Sequence, residues 1–136
     1  VSIGGGYNHR MGLFDAIMIK DNHIDFCGGI SQVLEKTKAY LEQNILEIPV
    51  IVEVRDSLEV DEVMRFPWVK RILLDNMSPE ILMENLAKIN GKFETEASGN
   101  ITEQHLVKYA ETGVDYISMG VLTYAAAPID LSLKAV

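Results

Sequence analysis

Polar side chains able to do chemistry recur where short apolar runs end. The run Ala16–Ile19 gives way to Lys20-Asp21-Asn22-His23, and Pro49–Val54 carries Glu53 ahead of Arg55. Val69–Leu74 is followed by Asp75-Asn76, Phe93–Ala97 by Ser98-Gly99-Asn100, and Val114–Ser118 closes on Ser118-Met119-Gly120. Any one of these has an ordinary explanation as a turn or helix cap. Their recurrence in phase fits a parallel-sheet enzyme, in which functional groups gather at the carboxyl edge of the strands. Glu53 is the most telling, because a carboxylate inside Val50-Ile51-Val52-Glu53-Val54 costs several kcal/mol to bury unpaired. A ligand hydroxyl, a metal or a fixed cation should meet it. Glu96 poses the same question, unless the fourth strand lies near a sheet edge and exposes it.

Cationic groups stand at the front of the chain. Asn8-His9-Arg10 follows the run Gly4-Gly5-Gly6, and Lys20 and His23 close the first apolar run. An Arg fork reads a carboxylate at two points, Lys supplies a compact charge, and His donates to either carboxylate or phosphate. Together they suit a small polyanion. The plainer readings are a solvated turn for His9 and Arg10 and a loop position for His23. His9 and His23 lack the spacing of helical metal ligands, so zinc is not indicated. Ser98-Gly99-Asn100 and Ser118-Met119-Gly120 fall in the last two units, where many barrels hold a phosphate on backbone N–H groups.

The elements that must position these groups follow from periodicity. Short apolar runs alternate with amphipathic stretches: Ile30, Val33, Leu34, Leu41 and Ile45, then Leu82, Leu86 and Ile89, then Leu106, Tyr109 and Ala110. This predicts repeated βα units on a parallel sheet, with strands buried on both faces. Ser78-Pro79-Glu80 reads as a helix start, Asp56 with Glu59 as a capping box, and Gly113 as a left-handed stop. About five units fit, whereas a complete eight-unit barrel takes about 250 residues. The chain opens on Val1 without an initiating Met, which favours a processed product or fragment over a complete open sheet.

Bulk properties exclude several classes. The 136 residues are 48% hydrophobic and 24% charged, an ordinary globular composition. No apolar run approaches the ~20 residues of a membrane helix, and no signal-type segment opens the chain. A formal net charge of -8 argues against a broad nucleic-acid-binding or membrane-binding surface, so an anionic ligand must meet a local cationic pocket. The single cysteine, Cys27, has no disulfide partner; it reads as a small buried residue in a reducing, cytoplasmic setting.

Six segments, in order, resemble the quinolinate phosphoribosyltransferases, also called carboxylating nicotinate-nucleotide pyrophosphorylases. They are Gly4-Gly5-Gly6-Tyr7-Asn8-His9-Arg10-Met11-Gly12-Leu13, Ile19-Lys20-Asp21-Asn22-His23-Ile24, Val52-Glu53-Val54, Leu74-Asp75-Asn76-Met77-Ser78-Pro79-Glu80, Glu96-Ala97-Ser98-Gly99-Asn100-Ile101 and Gly113-Val114-Asp115-Tyr116-Ile117-Ser118-Met119-Gly120. The resemblance implies that residues 1–136 form the family's C-terminal α/β-barrel catalytic domain, incomplete at its N-terminal side, without the additional N-terminal α/β domain.

It also implies the activity. Phosphoribose would pass from phosphoribosyl pyrophosphate to quinolinate with magnesium, giving nicotinate mononucleotide, pyrophosphate and carbon dioxide for NAD biosynthesis. His9, Arg10 and Lys20 would bind the quinolinate carboxylates. Glu53 and Asp75 would contact the ribose hydroxyls and, directly or through water, magnesium, forming the catalytic set with Lys20. Ser98, Gly99, Asn100, Ser118, Met119 and Gly120 would cradle the 5'-phosphate. The family, through this resemblance, implies a homodimer or higher oligomer whose sites borrow an arginine from the partner's N-terminal region. It continues after Gly120 with a Leu-Thr-His-Ser segment, where this chain has Leu122-Thr123-Tyr124-Ala125. His23 gains no role beyond shaping the loop after Lys20. The competing readings are another phosphate-binding barrel enzyme, such as a sugar-phosphate isomerase with Glu53 as base, and an inactive fragment of the transferase.

Overall fold

The computed structural model of the chain describes residues 1–124 and 129–134. Strands β1 (Ile17–Ile19), β2 (Val50–Val54), β3 (Arg71–Asp75), β4 (Glu94–Ser98) and β5 (Tyr116–Ile117) form one 5-stranded sheet. All neighbours are parallel and lie in sequence order. Helices α1 (Asp21–Cys27), α2 (Ile30–Gln43), α3 (Ser57–Val63), α4 (Pro79–Ile89) and α5 (Glu103–Ala110) connect them, and α6 (Val121–Tyr124) follows β5.

The side-chain alternation of the strands shows how the sheet is covered. Ile19, Val50, Val52, Val54, Ile72, Leu74 and Ala97 share one core with Ile30, Val33 and Leu34 of α2, Val60 and Val63 of α3, and Leu82 and Ile89 of α4. The opposite face has only a small apolar cluster, Ala16, Ile51 and Leu73 with Met18 against it. Helices therefore lie on a single face of strands that follow one another in order, which is the wall of a (β/α) barrel and not a doubly wound sheet. The helix-free face is the barrel interior.

The predicted strands are recovered with shifted bounds. β3 begins at Arg71 and not Val69, and the fifth run shrinks to Tyr116–Ile117. Ile45 leaves the helical stripe: α2 ends at Gln43, and Ile45 has φ 53 and is 90% exposed. Cys27 is half-buried at the end of α1, not fully buried.

The helix starts follow the expected chemistry. Ser78 accepts the N–H of Ile81 ahead of Pro79. Asp56 accepts the N–H groups of Leu58 and Glu59. Its capping box is displaced by one residue, because Glu59 takes the backbone N–H and guanidinium of Arg55 and not the N–H of Asp56. Gly113 sits at φ 84, with its N–H on Ala110 O.

Candidate active site on the inner face

The registers sort the inner-face residues into levels along the strands. Ile51, Arg71 and Glu94 are aligned, with Met18 beside Ile51. One level nearer the carboxyl edge stand Glu53, Leu73, Glu96 and Tyr116, and beyond them Asp75 pairs with Ser98. A face meant only for packing would be apolar here. Its charged residues are instead joined to one another.

Glu53 meets a fixed cation, one of the three partners its position allowed: Lys20 Nζ lies 3.3 Å from Glu53 Oε2. The Lys20 side chain is 49% exposed and that of Glu53 15%, so the pair lies at the open end of the interior. Lys20 is held there because its backbone N–H donates to His23 Nδ1 at 3.0 Å, across the first turn of α1. This is the shaping role left to His23.

Glu96 is buried, not exposed at an edge, with 1% of its side chain accessible. Oε2 lies 3.3 Å from His9 Nε2 and accepts from Arg71 Nη1 at 2.9 Å, while Oε1 accepts the Ser118 hydroxyl. Burial alone would push this carboxyl up, but hydrogen bonds from His9, Ser118 and Arg71 overcome it and hold the group down to about 2. Arg71 also donates to Glu94 Oε2 from Nε and Nη2, at 3.1 and 3.0 Å, and its guanidinium lies 3.8 Å from the ring centre of Tyr116. Glu94 is lowered by Lys70 foremost, whose Nζ is 2.6 Å away.

His9 and Arg10 reach this face from the loop before β1. Asp15 orders that loop by accepting the N–H groups of Met11 and Gly12. His9 reaches the level of Glu96, whereas Arg10 donates to Ala16 O at 3.3 Å and lines a cavity of about 290 Å³ with Lys70, Arg71 and Glu94. Arg10 thus approaches from the amino-terminal side of the strands, and Lys20 stands at the carboxyl end of β1.

The two serine-glycine ends are built differently. After β4, Ser98 O accepts the N–H of Asn76, and Asn100 Nδ2 donates to Asn76 Oδ1 at 2.9 Å. The same Asn76 donates through Nδ2 to Asp75 Oδ2 at 2.6 Å. Gly99 has φ +93, and a Cβ there would fall 2.8 Å from Asn76 N. After β5, Ser118 turns to Glu96, Met119 packs on the core, and Gly120 lies against the ring of Tyr124. The departure at Tyr124 therefore changes what covers Gly120; Ala125 lies outside the described residues.

Arg71 and Glu94 were not singled out from sequence as site residues, and Asn76, noted at a strand end, was given no role. The signal was present for the first two: Arg71, Leu73 and Asp75, like Glu94, Glu96 and Ser98, have the period of one strand face. Among the described residues no cluster of three or more His, Cys, Asp or Glu is arranged to hold a metal. Glu53 and Asp75 nevertheless fit magnesium as it is used with phosphate substrates, where one or two carboxylates complete a shell supplied largely by phosphate and water.

Residues 1–134 match the model of the quinolinate phosphoribosyl transferase C-terminal domain. The chain belongs to this family. It is 49% identical over 148 residues to a tobacco (Nicotiana tabacum) quinolinate phosphoribosyltransferase [decarboxylating] 1b, covering 98% of this chain and 42% of that protein. It is 38% identical over 136 residues to a probable nicotinate-nucleotide pyrophosphorylase [carboxylating] of Bacillus subtilis, covering 98% of this chain and 45% of the relative. The solved nicotinate-nucleotide pyrophosphorylase of Francisella tularensis superposes with a TM-score of 0.82 at 39% identity, covering 90% of this chain and 42% of that one. The chain thus spans less than half the length of the family members it matches, and the inner face described above is the family's C-terminal domain. Among the described residues, no helix is long and apolar enough to cross a membrane.

Proposed function

We propose that this chain supplies the catalytic barrel of a quinolinate phosphoribosyltransferase, which transfers phosphoribose from phosphoribosyl pyrophosphate to quinolinate and releases pyrophosphate and carbon dioxide. The product is nicotinate mononucleotide, for NAD biosynthesis. The observation that carries this reading is the convergence of Lys20, Glu53, Asp75 and Ser98 at the open end of one inner face.

Breaking the bond from the sugar to pyrophosphate builds positive charge on the ribose ring. Glu53 and Asp75 oppose that charge and accept hydrogen bonds from the ribose hydroxyls. Lys20 balances Glu53 in the free site and faces a pyridine carboxylate when substrate enters. His9 and Arg10 take the remaining carboxylate charge from the loop side. The N–H groups of Gly99 and Asn100, with Ser98, Ser118, Met119 and Gly120, hold the 5'-phosphate. Glu53 and Asp75 would hold magnesium, which when bound would supply charge neutralisation for the leaving pyrophosphate. Decarboxylation leaves electron density beside a positively charged ring nitrogen, so it needs orientation and local cations, and no nucleophilic side chain is assigned.

We assign the working protein to a homodimer or higher oligomer, and to the cytoplasm, whose reducing conditions suit a lone unpaired cysteine. The test is chromatographic detection of nicotinate mononucleotide after the full-length protein is mixed with quinolinate, phosphoribosyl pyrophosphate and magnesium. Turnover of simple sugar phosphates in its place would overturn the assignment.

A further inference from the structure

Glu96 has a position that the transfer reaction does not by itself require. It stands mid-strand in β4 with 1% of its side chain accessible, and its two oxygens serve different parts of the site. Oε2 holds His9, on the side assigned to the pyridine dicarboxylate, while Oε1 holds the hydroxyl of Ser118, on the side assigned to the 5'-phosphate. Those partners lie in the loop before β1 and just after β5, segments that share no strand pairing. A buried carboxylate between them needs a permanent counter-charge. Arg71 supplies it at 2.9 Å and is itself fixed by Glu94 and by the ring of Tyr116.

We propose that Glu96, clamped by Arg71, is a positioning residue that locks His9 and Ser118 into one unit and so couples the two substrate subsites. The inference rests on the functional reading above for the identity of the substrates, but the mechanical link stands on the contacts alone. Both oxygens must stay in place for either partner to be oriented. Disturbing the phosphate side therefore frees the carboxylate and loosens His9, and the effect is reciprocal because coupling between sites is a shared free energy.

The experiment uses the full-length protein with Ser118→Ala and Glu96→Gln. Ser118→Ala should raise the KM for quinolinate, the substrate it does not face, by about fivefold. Glu96→Gln should raise both KM values by about tenfold, since it removes the charge that His9, Arg71 and Ser118 all contact. A residue that merely supports the fold would lower the active fraction and leave both KM values at wild type; that result, or a rise in one KM only, overturns the proposal. A readout that needs no turnover is the urea denaturation of His9→Ala, Ser118→Ala and the double variant. Non-additive losses that become additive in the Glu96→Gln background support the link, and additive losses in both backgrounds refute it. If wild-type protein forms no nicotinate mononucleotide, the functional reading fails and this cycle alone decides the coupling. The cycle decides it equally if Glu96→Gln fails to fold, on whether His9→Ala and Ser118→Ala are non-additive.

Discussion

Asn76 occupies the space that a side chain on Gly99 would need. Its backbone nitrogen would lie 2.8 Å from a Cβ at Gly99, and its amide binds Asp75 on one side and Asn100 on the other. The loops after β3 and β4 are thereby locked together, so the carboxylate assigned to ribose and the N–H groups assigned to phosphate are set by one residue.

Gly99→Ala should break that lock. At φ +93 an added side chain is strained, and the contact with Asn76 backbone cannot be relieved by a rotamer change. The expected loss is about 1–3 kcal/mol of stability, with a rise in KM for phosphoribosyl pyrophosphate larger than that for quinolinate. Denaturation and two-substrate kinetics check the two halves; a larger effect on quinolinate would show that the loop does not serve the phosphate.

The Glu96 cluster gives stability a definite pH dependence. Its carboxyl is lowered from 4.5 to about 2, so the folded state favours the ionised form. The contribution is fully present above pH 4.5 and is lost as pH falls toward 2. Glu94 is also lowered and adds a loss of the same sign. Urea unfolding across that window should show the gap between wild type and Glu96→Gln narrowing with acid. A gap that stays constant would mean that the charge on Glu96 contributes nothing.

Lys20 and Arg10 test the dicarboxylate pocket. Lys20→Met leaves Glu53, whose side chain is 15% exposed, without its counter-charge and should lower stability by about 1–3 kcal/mol. Its kcat/KM should fall by about tenfold to a hundredfold, the size expected when a charged partner of a carboxylate is removed. Calorimetric titration of Arg10→Ala with quinolinate should show a comparable loss of affinity. Unaltered binding would remove Arg10 from the dicarboxylate pocket and leave it to the cavity it lines with Lys70 and Glu94.

Ser78→Ala provides the contrasting case. The hydroxyl caps α4 at its first turn and touches none of the site residues. About 1 kcal/mol of stability should be lost, the usual cost of removing an N-cap hydroxyl. Activity at 25 °C should be unchanged. A change in either KM would indicate that α4 communicates with the loop carrying Asp75 and Asn76.

The amino-acid sequence by itself determined what depends on neighbours along the chain. Apolar alternation specified the βα units, Ser78-Pro79 and Asp56 specified helix starts, and the polar residues closing each run marked the carboxyl edge. These are short-range properties of propensity, capping and period, and residue types express them directly. A partner for Glu53 was foreshadowed too, since a carboxylate within a strand needs a ligand hydroxyl, a metal or a fixed cation. Tertiary structure alone decided which cation serves which carboxylate. Glu96 meets Arg71 and Ser118 across 25 and 22 residues of chain, and Asn76 meets Asn100 across 24. Those pairings depend on strand register and on the curvature that turns one face inward, and neither is written in the local pattern. The same holds for Ile45, whose place in a helical stripe lapses because α2 ends at Gln43.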